Sequence, residues 1–244
     1  MSIELLNIDC MAFMATLPDK AFDLAIVDPP YGIDAAELFG GDIRKSGNGC
    51  AMKSAFEKKA WDSSMPDREY FEQLERVSKN RIIWGANYMT NCLPPSMGWI
   101  VWDKDNGTTK FSDCELAFTS FEKALRKFKY TWNGMIQGDM KNKEARVHPT
   151  QKPVKLYEWL LTNYAKPGQR ILDTHGGSMS IAIACHNLGY DLTLCELDEA
   201  TTGLAWRVLS STRRKGTCLF PTRQGTLTSK QTSLPVRKGV GHNV

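Results

Sequence analysis

Residues 170–196 read RILDTHGGSMSIAIACHNLGYDLTLCE, and the order of apolar, glycine-containing and helical segments in this stretch decides the fold class. A short strand, Arg170–Leu172, is followed by a turn at 173–177 that contains two glycines. A helix over Ser178–Leu188 then leads into a second strand, Leu192–Cys195. A strand, a helix and a second strand in this order form a βαβ unit, in which a helical crossover joins parallel strands. The stretch therefore predicts an α/β fold built on a mostly parallel sheet.

The same alternation of short apolar runs and helical periodicity continues on the N-terminal side of this unit. Further strands are predicted at Ile3–Ile8, Phe22–Val27, Arg81–Trp84, Trp99–Trp102, Glu115–Phe121 and Phe128–Trp132. Helices are predicted at Cys10–Leu17, after Pro66, after Pro153 and over about 199–210. No internal repeat or linker interrupts the pattern. Residues 1–210 are therefore expected to form one domain with helices on both faces of the sheet, followed by a tail at 211–244.

The composition is that of a globular protein, with 42% hydrophobic and 24% charged residues among 244, and it excludes a disordered or fibrous chain. No run of 18 apolar residues is present, and the N-terminus lacks a basic start, so a cytoplasmic protein without a membrane segment is expected. The seven cysteines contain no C-x-x-C pair and have only four histidines beside them. Free thiols in a reducing compartment, and no metal site, are predicted.

The charge is unevenly distributed along the chain, although the net value is only +4. Residues 200–244 contain eight of the 31 Lys and Arg residues and none of the 27 Asp and Glu residues, so the preceding part is slightly acidic. A basic tail on an acidic body indicates a polyanionic partner. An unstructured tail that only increases solubility explains the same pattern equally well.

The turn at 173–177 and Glu196 together suggest a nucleotide site. Glycines in the turn allow a ligand to approach the N-terminus of the following helix, and an acidic residue that ends the next strand, 23 positions after Asp173, can accept hydrogen bonds from two ribose hydroxyls. The G-x-G-x-x-G order typical of dinucleotide sites is absent, which disfavours a nicotinamide cofactor. An ordinary tight turn followed by an exposed glutamate is the alternative.

The segment Asp28-Pro29-Pro30-Tyr31 directly follows the apolar strand Phe22–Val27. Two prolines remove two N–H donors and restrict the backbone, so the Asp28 carboxylate and the carbonyls of Asp28 and Pro29 can all face outward as acceptors. Three acceptors beside an aromatic ring suit the exocyclic amine of a flat heterocycle. A rigid turn that merely ends the strand is the alternative.

In these segments the chain resembles the amino-group DNA methyltransferases, which methylate adenine N6 or cytosine N4. The resemblance is carried by Asp-Pro-Pro-Tyr at 28–31, His-Pro-Thr-Gln-Lys-Pro at 148–153, and Asp-Thr-His-Gly-Gly-Ser-Met-Ser at 173–180 with Glu196, and it extends over nearly all of residues 1–210. The catalytic motif precedes the cofactor turn, as in the circularly permuted β group of the family. The resemblance implies a Rossmann-like class I methyltransferase fold and S-adenosylmethionine as cofactor.

The resemblance also implies a role for each matching residue. Asp28, Pro29, Pro30 and Tyr31 would form the catalytic motif, with Asp28 bordering the cofactor and Tyr31 stacking on the target base. The methionine part of the cofactor would contact Asp173, His175, Gly177 and Ser178. The ribose would contact Glu196, the adenine would contact Asp9 and Cys10, and Thr150 and Lys152 are candidates for the carboxylate.

The resemblance further implies double-stranded DNA as substrate. It also implies that the enzyme is a methyltransferase of a restriction-modification system. Aspartate at the head of the motif favours adenine N6 over cytosine N4; a glutamine amide in a protein is less favoured, and RNA stays open. Residues 33–64 and 103–147 are candidate DNA-contact regions. Their basic residues suit phosphates better than base edges, which predicts modest specificity or the help of a second subunit in a homodimer. Trp84, Trp102 and Trp132 are explained equally well as base-stacking surfaces and as core residues.

One residue departs from the family pattern. Met179 stands where the turn usually has a second glycine. A methionine there would crowd the cofactor or turn aside from it. If the cofactor does not bind, the alternative function is that of a catalytically silent, nucleic-acid-binding relative of the enzymes. Binding of S-adenosylmethionine discriminates between these two readings.

Overall fold

The computed structural model of the chain describes residues 1–33, 64–107, 109, 112–133, 136–146 and 150–198. The strands are β1 (Ile3–Asn7), β2 (Phe22–Val27), β3 (Ser78–Trp84), β4 (Trp99–Asp103), β5 (Cys114–Thr119), β6 (Arg126–Lys129), β7 (Trp132–Asn133), β8 (Ile136–Gln137), β9 (Arg170–Asp173) and β10 (Asp191–Glu196). The α-helices are α1 (Cys10–Ala15), α2 (Arg68–Val77), α3 (Val154–Tyr164) and α4 (Ser180–Leu188), and a short 3-10 helix spans Ala86–Tyr88.

Eight of these strands form one mixed sheet in the order β1-β10-β9-β2-β3-β5-β4-β6. The first five strands in this order are parallel to one another. Strand β5 is antiparallel to both of its neighbours, β3 and β4, and β6 is parallel to β4. The predicted α/β fold with a mostly parallel sheet is confirmed. The first strand of the chain, β1, lies at the edge of the sheet beside β10.

Helices cover both faces of the sheet because the side chains of β2 alternate between two apolar clusters. Leu24 and Ile26 pack with the apolar faces of α3 and α4 on one side. Ala25 and Val27 pack with α1 and α2 on the other. All four side chains are at most 1% exposed, which is typical of a central parallel strand covered on both faces.

The crevice for a ligand is set by the strand order around β9 and β2. From β9 the chain passes through α4 to β10 on one side of the sheet, whereas from β2 it continues to α2 and β3 on the other. Adjacent parallel strands whose crossovers diverge in this way leave a crevice at their carboxyl ends, where open α/β sheets bind ligands. Asp173 ends β9, and Asp28 directly follows β2, so the two motifs meet at this crevice.

Two predicted segments differ from the observed ones. The strand predicted at Phe128–Trp132 is divided into β6 and β7, because the chain leaves the main sheet after Lys129 and pairs instead with β8 in a two-stranded hairpin. The helix predicted from Ser178 begins at Ser180, because Met179 has the left-handed backbone conformation, with φ of 59°. The helix predicted over 199–210, the tail at 211–244 and most of the segment 33–64 lie outside the described residues, and the proposed domain boundaries stay a prediction.

The structure resolves the alternatives for the three tryptophans. Trp84, Trp102 and Trp132 are 0%, 1% and 7% exposed and belong to the apolar cluster under α3 and α4. They are core residues. No helix among the described residues has the length and apolar character needed to cross a membrane.

Candidate active site

Both oxygens of the Asp28 carboxylate are held by hydrogen-bond donors. The Tyr31 hydroxyl donates to Oδ1 across 2.6 Å, and the Lys152 ammonium donates to Oδ2 across 2.5 Å. Asp28 directly follows the buried end of β2, and its side chain keeps 21% of its surface exposed. The carboxylate is therefore fixed in orientation and still accessible from one side. A carboxylate has about four lone-pair positions, so each oxygen keeps acceptor capacity.

Lys152 reaches Asp28 from the segment that leads into α3. Its side chain is 3% exposed, and its Nζ also lies 3.1 Å from the Tyr31 hydroxyl and 3.1 Å from Glu115 Oε2. The segment is anchored at Gln151, whose carbonyl accepts a hydrogen bond of 2.8 Å from the buried Trp132 indole. Residues from β2, β5 and the start of α3 therefore converge on one point.

The ring of Tyr31 is packed against the turn that follows β3. It stacks on Tyr88, with ring centroids 5.3 Å apart and an interplanar angle of 20°. Gly85 has a φ of +66°, and a Cβ built on it would lie 2.1 Å from Tyr31 Cε1, so only glycine fits this position. Tyr88 is 44% exposed and therefore extends the aromatic surface of Tyr31 to the outside. The stacking of Tyr31 on a base stays a prediction.

Asp173, at the end of β9, is a buried carboxyl group with an abnormal pKa. Its side chain is 2% exposed and accepts a hydrogen bond of 3.0 Å from the backbone N–H of His175. Burial raises the pKa of Asp173 to about 8, and the neighbouring Asp28 and Glu196 carboxylates add to the effect. At neutral pH the group is therefore mostly protonated in the free protein. A cation placed beside it would favour the ionised form.

The turn at 173–177 is supported by α2. The Tyr70 hydroxyl hydrogen-bonds with the Thr174 hydroxyl across 2.7 Å, and the Tyr70 ring meets the His175 ring edge to face at 5.4 Å. The Thr174 hydroxyl lies 2.9 Å from His175 Nδ1. Burial lowers the pKa of His175 to about 4, so its imidazole is neutral at physiological pH. This neutral, packed ring is suited to shaping a pocket wall and not to balancing a charge.

Glu196, at the end of β10, is linked to the same turn. Its Oε2 accepts a hydrogen bond of 2.8 Å from the Gly177 N–H, and its Oε1 accepts one of 2.8 Å from the Asp198 N–H. Gly177 has a φ of +48°, and a Cβ placed on it would find no atom closer than 3.9 Å, so its surface is open. The Ser178 and Ser180 hydroxyls lie 3.0 Å apart. The open glycine and the half-buried carboxylate border the crevice beside Asp173.

Met179, which departs from the family pattern, is turned aside into the core. Its side chain is 1% exposed and belongs to the apolar cluster under α3 and α4. Its left-handed backbone conformation is the one that a glycine would adopt without strain. The methionine therefore keeps the shape of a glycine turn and fills core volume instead of the ligand side of the turn.

Replacing Met179 with glycine is expected to destabilise the protein by about 1–4 kcal/mol, because the lost burial of a methionine outweighs the relief of left-handed strain, which is roughly 1–2 kcal/mol. Urea unfolding measures the change. Met179→Leu, which keeps the volume, serves as the control and should cost less than about 1.5 kcal/mol. An increase in the stability of Met179→Gly would contradict the packing role.

The remaining predicted cofactor residues lie at the expected edge of the sheet. Asp9 follows β1 and caps α1, with its Oδ1 accepting a hydrogen bond of 2.9 Å from the Ala12 N–H. Cys10 is half-buried, and burial together with Asp9 raises the pKa of its thiol to about 11, so it is a neutral thiol. Thr150 is half-buried and lies two residues before Lys152. Their contacts with a cofactor stay predictions.

Four residues that sequence reasoning did not select complete the site. Glu115 and Lys104 extend the charged cluster at Asp28, Tyr88 extends the aromatic surface, and Tyr157 of α3 lies near both motifs. Burial and the neighbouring carboxylates, Asp28 and Asp173 among them, raise the pKa of Tyr157 well above its usual range. Nothing in the sequence pairs Glu115 with Lys152.

The chain is similar in sequence to Type II DNA methyltransferases. The M2.DpnII enzyme of Streptococcus pneumoniae is 24% identical over 227 residues, covering 76% of this chain and 81% of that protein. The M2.MboI enzyme of Moraxella bovis is 24% identical over 211 residues, covering 72% of this chain and 76% of that protein.

Solved structures of DNA methyltransferases share the fold. M1.HpyAVI in complex with SAM superimposes with a TM-score of 0.53 at 18% identity, covering 84% of this chain and 99% of that one. The cytosine-N4-specific PvuII methyltransferase gives a TM-score of 0.53 at 10% identity, covering 84% of this chain and 86% of that one.

A family model matches a continuous segment that makes up less than half of the chain. Residues 101–205 match the model of the N6/N4 DNA methylases, described as DNA methylase. This match includes the segment that contains Lys152, the turn at Asp173 and the acidic end of β10 at Glu196. The Asp-Pro-Pro-Tyr segment at 28–31 lies outside the match, but the sheet places it against the same crevice. Residues 101–205 therefore form a region of the N6/N4 DNA methylase type, within a chain that is similar to Type II methyltransferases over 72–76% of its length.

Proposed function

We propose that the chain is a cytoplasmic, site-specific DNA methyltransferase that transfers a methyl group from S-adenosylmethionine to the N6 amine of adenine. The observation that carries this proposal is the meeting of the two motifs. Asp28, oriented through both carboxylate oxygens, lies at the end of β2 next to β9, which ends in the buried Asp173. A carboxylate that can accept hydrogen bonds from an amine and a carboxyl group that can bind a cationic cofactor therefore lie side by side.

The residues at the turn fit S-adenosylmethionine, which carries a sulfonium and an ammonium group. Among the described residues no cationic side chain forms an ion pair with Asp173, and burial, together with the Asp28 and Glu196 carboxylates, raises its pKa. A cationic ligand supplies the missing partner. The open surface at Gly177 gives room for a ligand to approach the backbone, and Glu196 keeps acceptor capacity for ribose hydroxyls. These groups together favour the binding of a nucleoside that has a positive charge.

The Asp28 motif acts on the nucleophile. The lone pair of an adenine N6 amine is delocalised into the ring, so the amine is a poor nucleophile. Hydrogen bonds from its two N–H groups to the Asp28 carboxylate and the Pro29 carbonyl favour a tetrahedral nitrogen and direct the lone pair outward. The cofactor supplies an activated methyl group on sulfur, so in-line positioning accounts for most of the remaining acceleration. Asp28 also lies where it can accept the proton that the methylated nitrogen releases.

The target base must leave the duplex to reach this crevice. Flipping a nucleotide costs a few kcal/mol of unpairing and unstacking. The exposed ring of Tyr88 and the half-buried ring of Tyr31 offer a stacked aromatic surface beside Asp28. Recognition of a sequence is expected from the candidate DNA-contact regions 33–64 and 103–147, or from a second subunit of a homodimer.

Deleting residues 212–244 is expected to weaken DNA binding and flatten its salt dependence, because each cation that contacts a phosphate contributes about 0.9 to the slope of log K against log salt. The deletion removes seven of the eight cations of the basic segment. Binding isotherms at several salt concentrations measure the slope. A full-length variant with these seven cations replaced by glutamine should behave like the deletion. An unchanged slope in both variants would leave the tail only a solubilising role.

Expression in a bacterial host that lacks DNA methylation, followed by single-molecule sequencing of the host DNA, tests the proposed function. N6-methyladenine confined to one short sequence context is expected. N4-methylcytosine in a fixed context would identify the cytosine enzyme instead. Unmodified DNA from cells that contain the soluble chain at a high level would contradict the proposal.

A further inference from the structure

Four charged side chains of alternating sign lie in a row at the catalytic edge of the sheet. Asp28 contacts Lys152, Lys152 contacts Glu115 across 3.1 Å, and Glu115 Oε1 contacts Lys104 across 2.6 Å. The side chains of Lys152, Lys104, Asp28 and Glu115 are between 3% and 23% exposed. This row begins at the proposed catalytic carboxylate and extends away from it through β5 to β4.

The ammonium group of Lys152 is enclosed by groups around Asp28. It donates hydrogen bonds to Asp28 and to the Tyr31 hydroxyl, and Glu115 Oε2 lies 3.1 Å from its Nζ as an ion-pair partner. The rings of Tyr31 and Trp84 also lie 5.6 Å and 5.5 Å from the same Nζ, at distances that favour a cation. These contacts favour a role at Asp28 over the role at the cofactor carboxylate that the family resemblance implied.

Glu115 is held in place by the sheet. It lies on β5 opposite Trp102 of β4, and the antiparallel pairing with β3 brings it to the catalytic edge. Burial alone would raise the pKa of Glu115, but the Lys152 and Lys104 ammonium groups lower it to about 2. Its carboxylate is therefore charged under all physiological conditions. A permanent negative charge on a rigid strand fixes the ammonium group between two carboxylates.

Stability alone gives a weak reason for this arrangement. Removing several charges from water costs several kcal/mol per ion, and well-packed apolar side chains of the same volume are often equally or more stabilising. Asp28, in contrast, gains a defined orientation, since one oxygen is fixed by Tyr31 and the other by Lys152. A misplacement of about 1 Å at a reacting group can reduce the rate about 100-fold. Fixing the orientation of the Asp28 carboxylate is therefore expected to have a large effect on the rate of methyl transfer.

We infer that Lys152 and Glu115 are positioning residues, which hold the Asp28 carboxylate in the orientation that receives the target amine. Lys152 contacts Asp28 directly, and Glu115, anchored on Lys104, holds Lys152. The inference rests on the proposed function, because the value of the orientation is the methylation of an amine. It assigns no cofactor contact to Lys152.

The test compares Lys152→Met, Lys152→Arg and Glu115→Gln with the wild-type chain. Lys155→Met is the matched control. It removes a lysine three residues after Lys152 that is exposed on α3 and pairs with Glu158. At saturating S-adenosylmethionine and DNA, Lys152→Met should lower kcat about 100-fold, and Glu115→Gln should lower it about tenfold. Lys152→Arg, which keeps the charge, should recover at least part of the loss. The Kd of S-adenosylmethionine, from calorimetry, should stay within about twofold in every variant.

Crystal structures of the wild-type chain and Lys152→Met give a readout that does not depend on activity. In the wild type, Asp28 should accept from both Tyr31 and Lys152; in the variant, its carboxylate should rotate or occupy more than one orientation. A variant with Asp28 unmoved would overturn the inference. So would a Lys152→Met variant with wild-type kcat and a weakened Kd, which would return Lys152 to the cofactor. A wild-type chain that leaves DNA unmethylated although Asp28 moves in the variant would instead overturn the proposed function.

Discussion

Replacing Asp28 with alanine is expected to lower kcat for methyl transfer by about 10³-fold or more, while S-adenosylmethionine still binds. The carboxylate lies directly before Pro29 at the end of β2, and its loss removes both the orientation of the amine and the acceptor for its proton. Single-turnover kinetics on DNA, with cofactor binding measured in parallel by calorimetry, separate the two steps. Wild-type turnover by Asp28→Ala would contradict the role assigned to Asp28.

The alanine variant needs a control for stability, because it leaves the buried Lys152 ammonium without its closest partner. Removing one member of a buried ion pair costs about 3–5 kcal/mol. Asp28→Asn keeps the shape and a neutral acceptor oxygen, so it should unfold closer to the wild-type temperature and still lose most of the activity. Asp28→Ala combined with Lys152→Met removes both charges together. Loss of turnover in folded forms of all three variants would assign the effect to chemistry.

The affinity for S-adenosylmethionine is expected to rise with pH up to about 8 and to level off above it. Burial holds the pKa of Asp173 at about 8 in the free chain, whereas a cationic cofactor beside it favours the ionised form. Binding below pH 8 therefore releases a proton, and the affinity changes by up to about tenfold per pH unit. His175, with its pKa lowered to about 4, is neutral over this range and does not contribute.

Calorimetry in buffers with different ionisation enthalpies measures the released proton directly. Near pH 7 the wild-type chain should release close to one proton per bound cofactor. Asp173→Asn should bind S-adenosylmethionine more weakly and with a flat pH dependence, while S-adenosylhomocysteine, which lacks the sulfonium charge, should show a weaker pH dependence in the wild type. Proton release that persists in Asp173→Asn would assign the titrating group elsewhere.

The backbone of the site could be predicted from the sequence because its determinants are local. Apolar runs mark β2 and β9, the residues that follow them are polar, and the carboxyl ends of neighbouring parallel strands meet at one edge. The helix predicted from Ser178 begins at Ser180 in the structure, because Met179 adopts a glycine-like backbone conformation. This conformation could not be predicted from the residue type, since methionine rarely adopts it. The resemblance of the motifs to those of the amino-group methyltransferases adds their order along the chain.

The charged support of Asp28 could not be predicted, since it depends on pairings distant in sequence. Glu115 and Lys152 are 37 positions apart and meet only because β5 inserts antiparallel between β3 and β4. The alternation on β5 indicates which side chains share a face, but it does not identify the neighbouring strand. Tyr88 was missed as well, because the short turn after β3 shows no periodicity that distinguishes it.

Transfer of an isotopically labelled methyl group from S-adenosylmethionine to unmodified genomic DNA by the purified chain tests the central claim most directly. The DNA is digested to nucleosides, and mass spectrometry reports the base and the nitrogen that carry the label. The account predicts label in N6-methyldeoxyadenosine with the wild-type chain and none with Asp28→Ala. Absence of labelled nucleoside with a wild-type chain that binds S-adenosylmethionine, or equal labelling by Asp28→Ala, would contradict it.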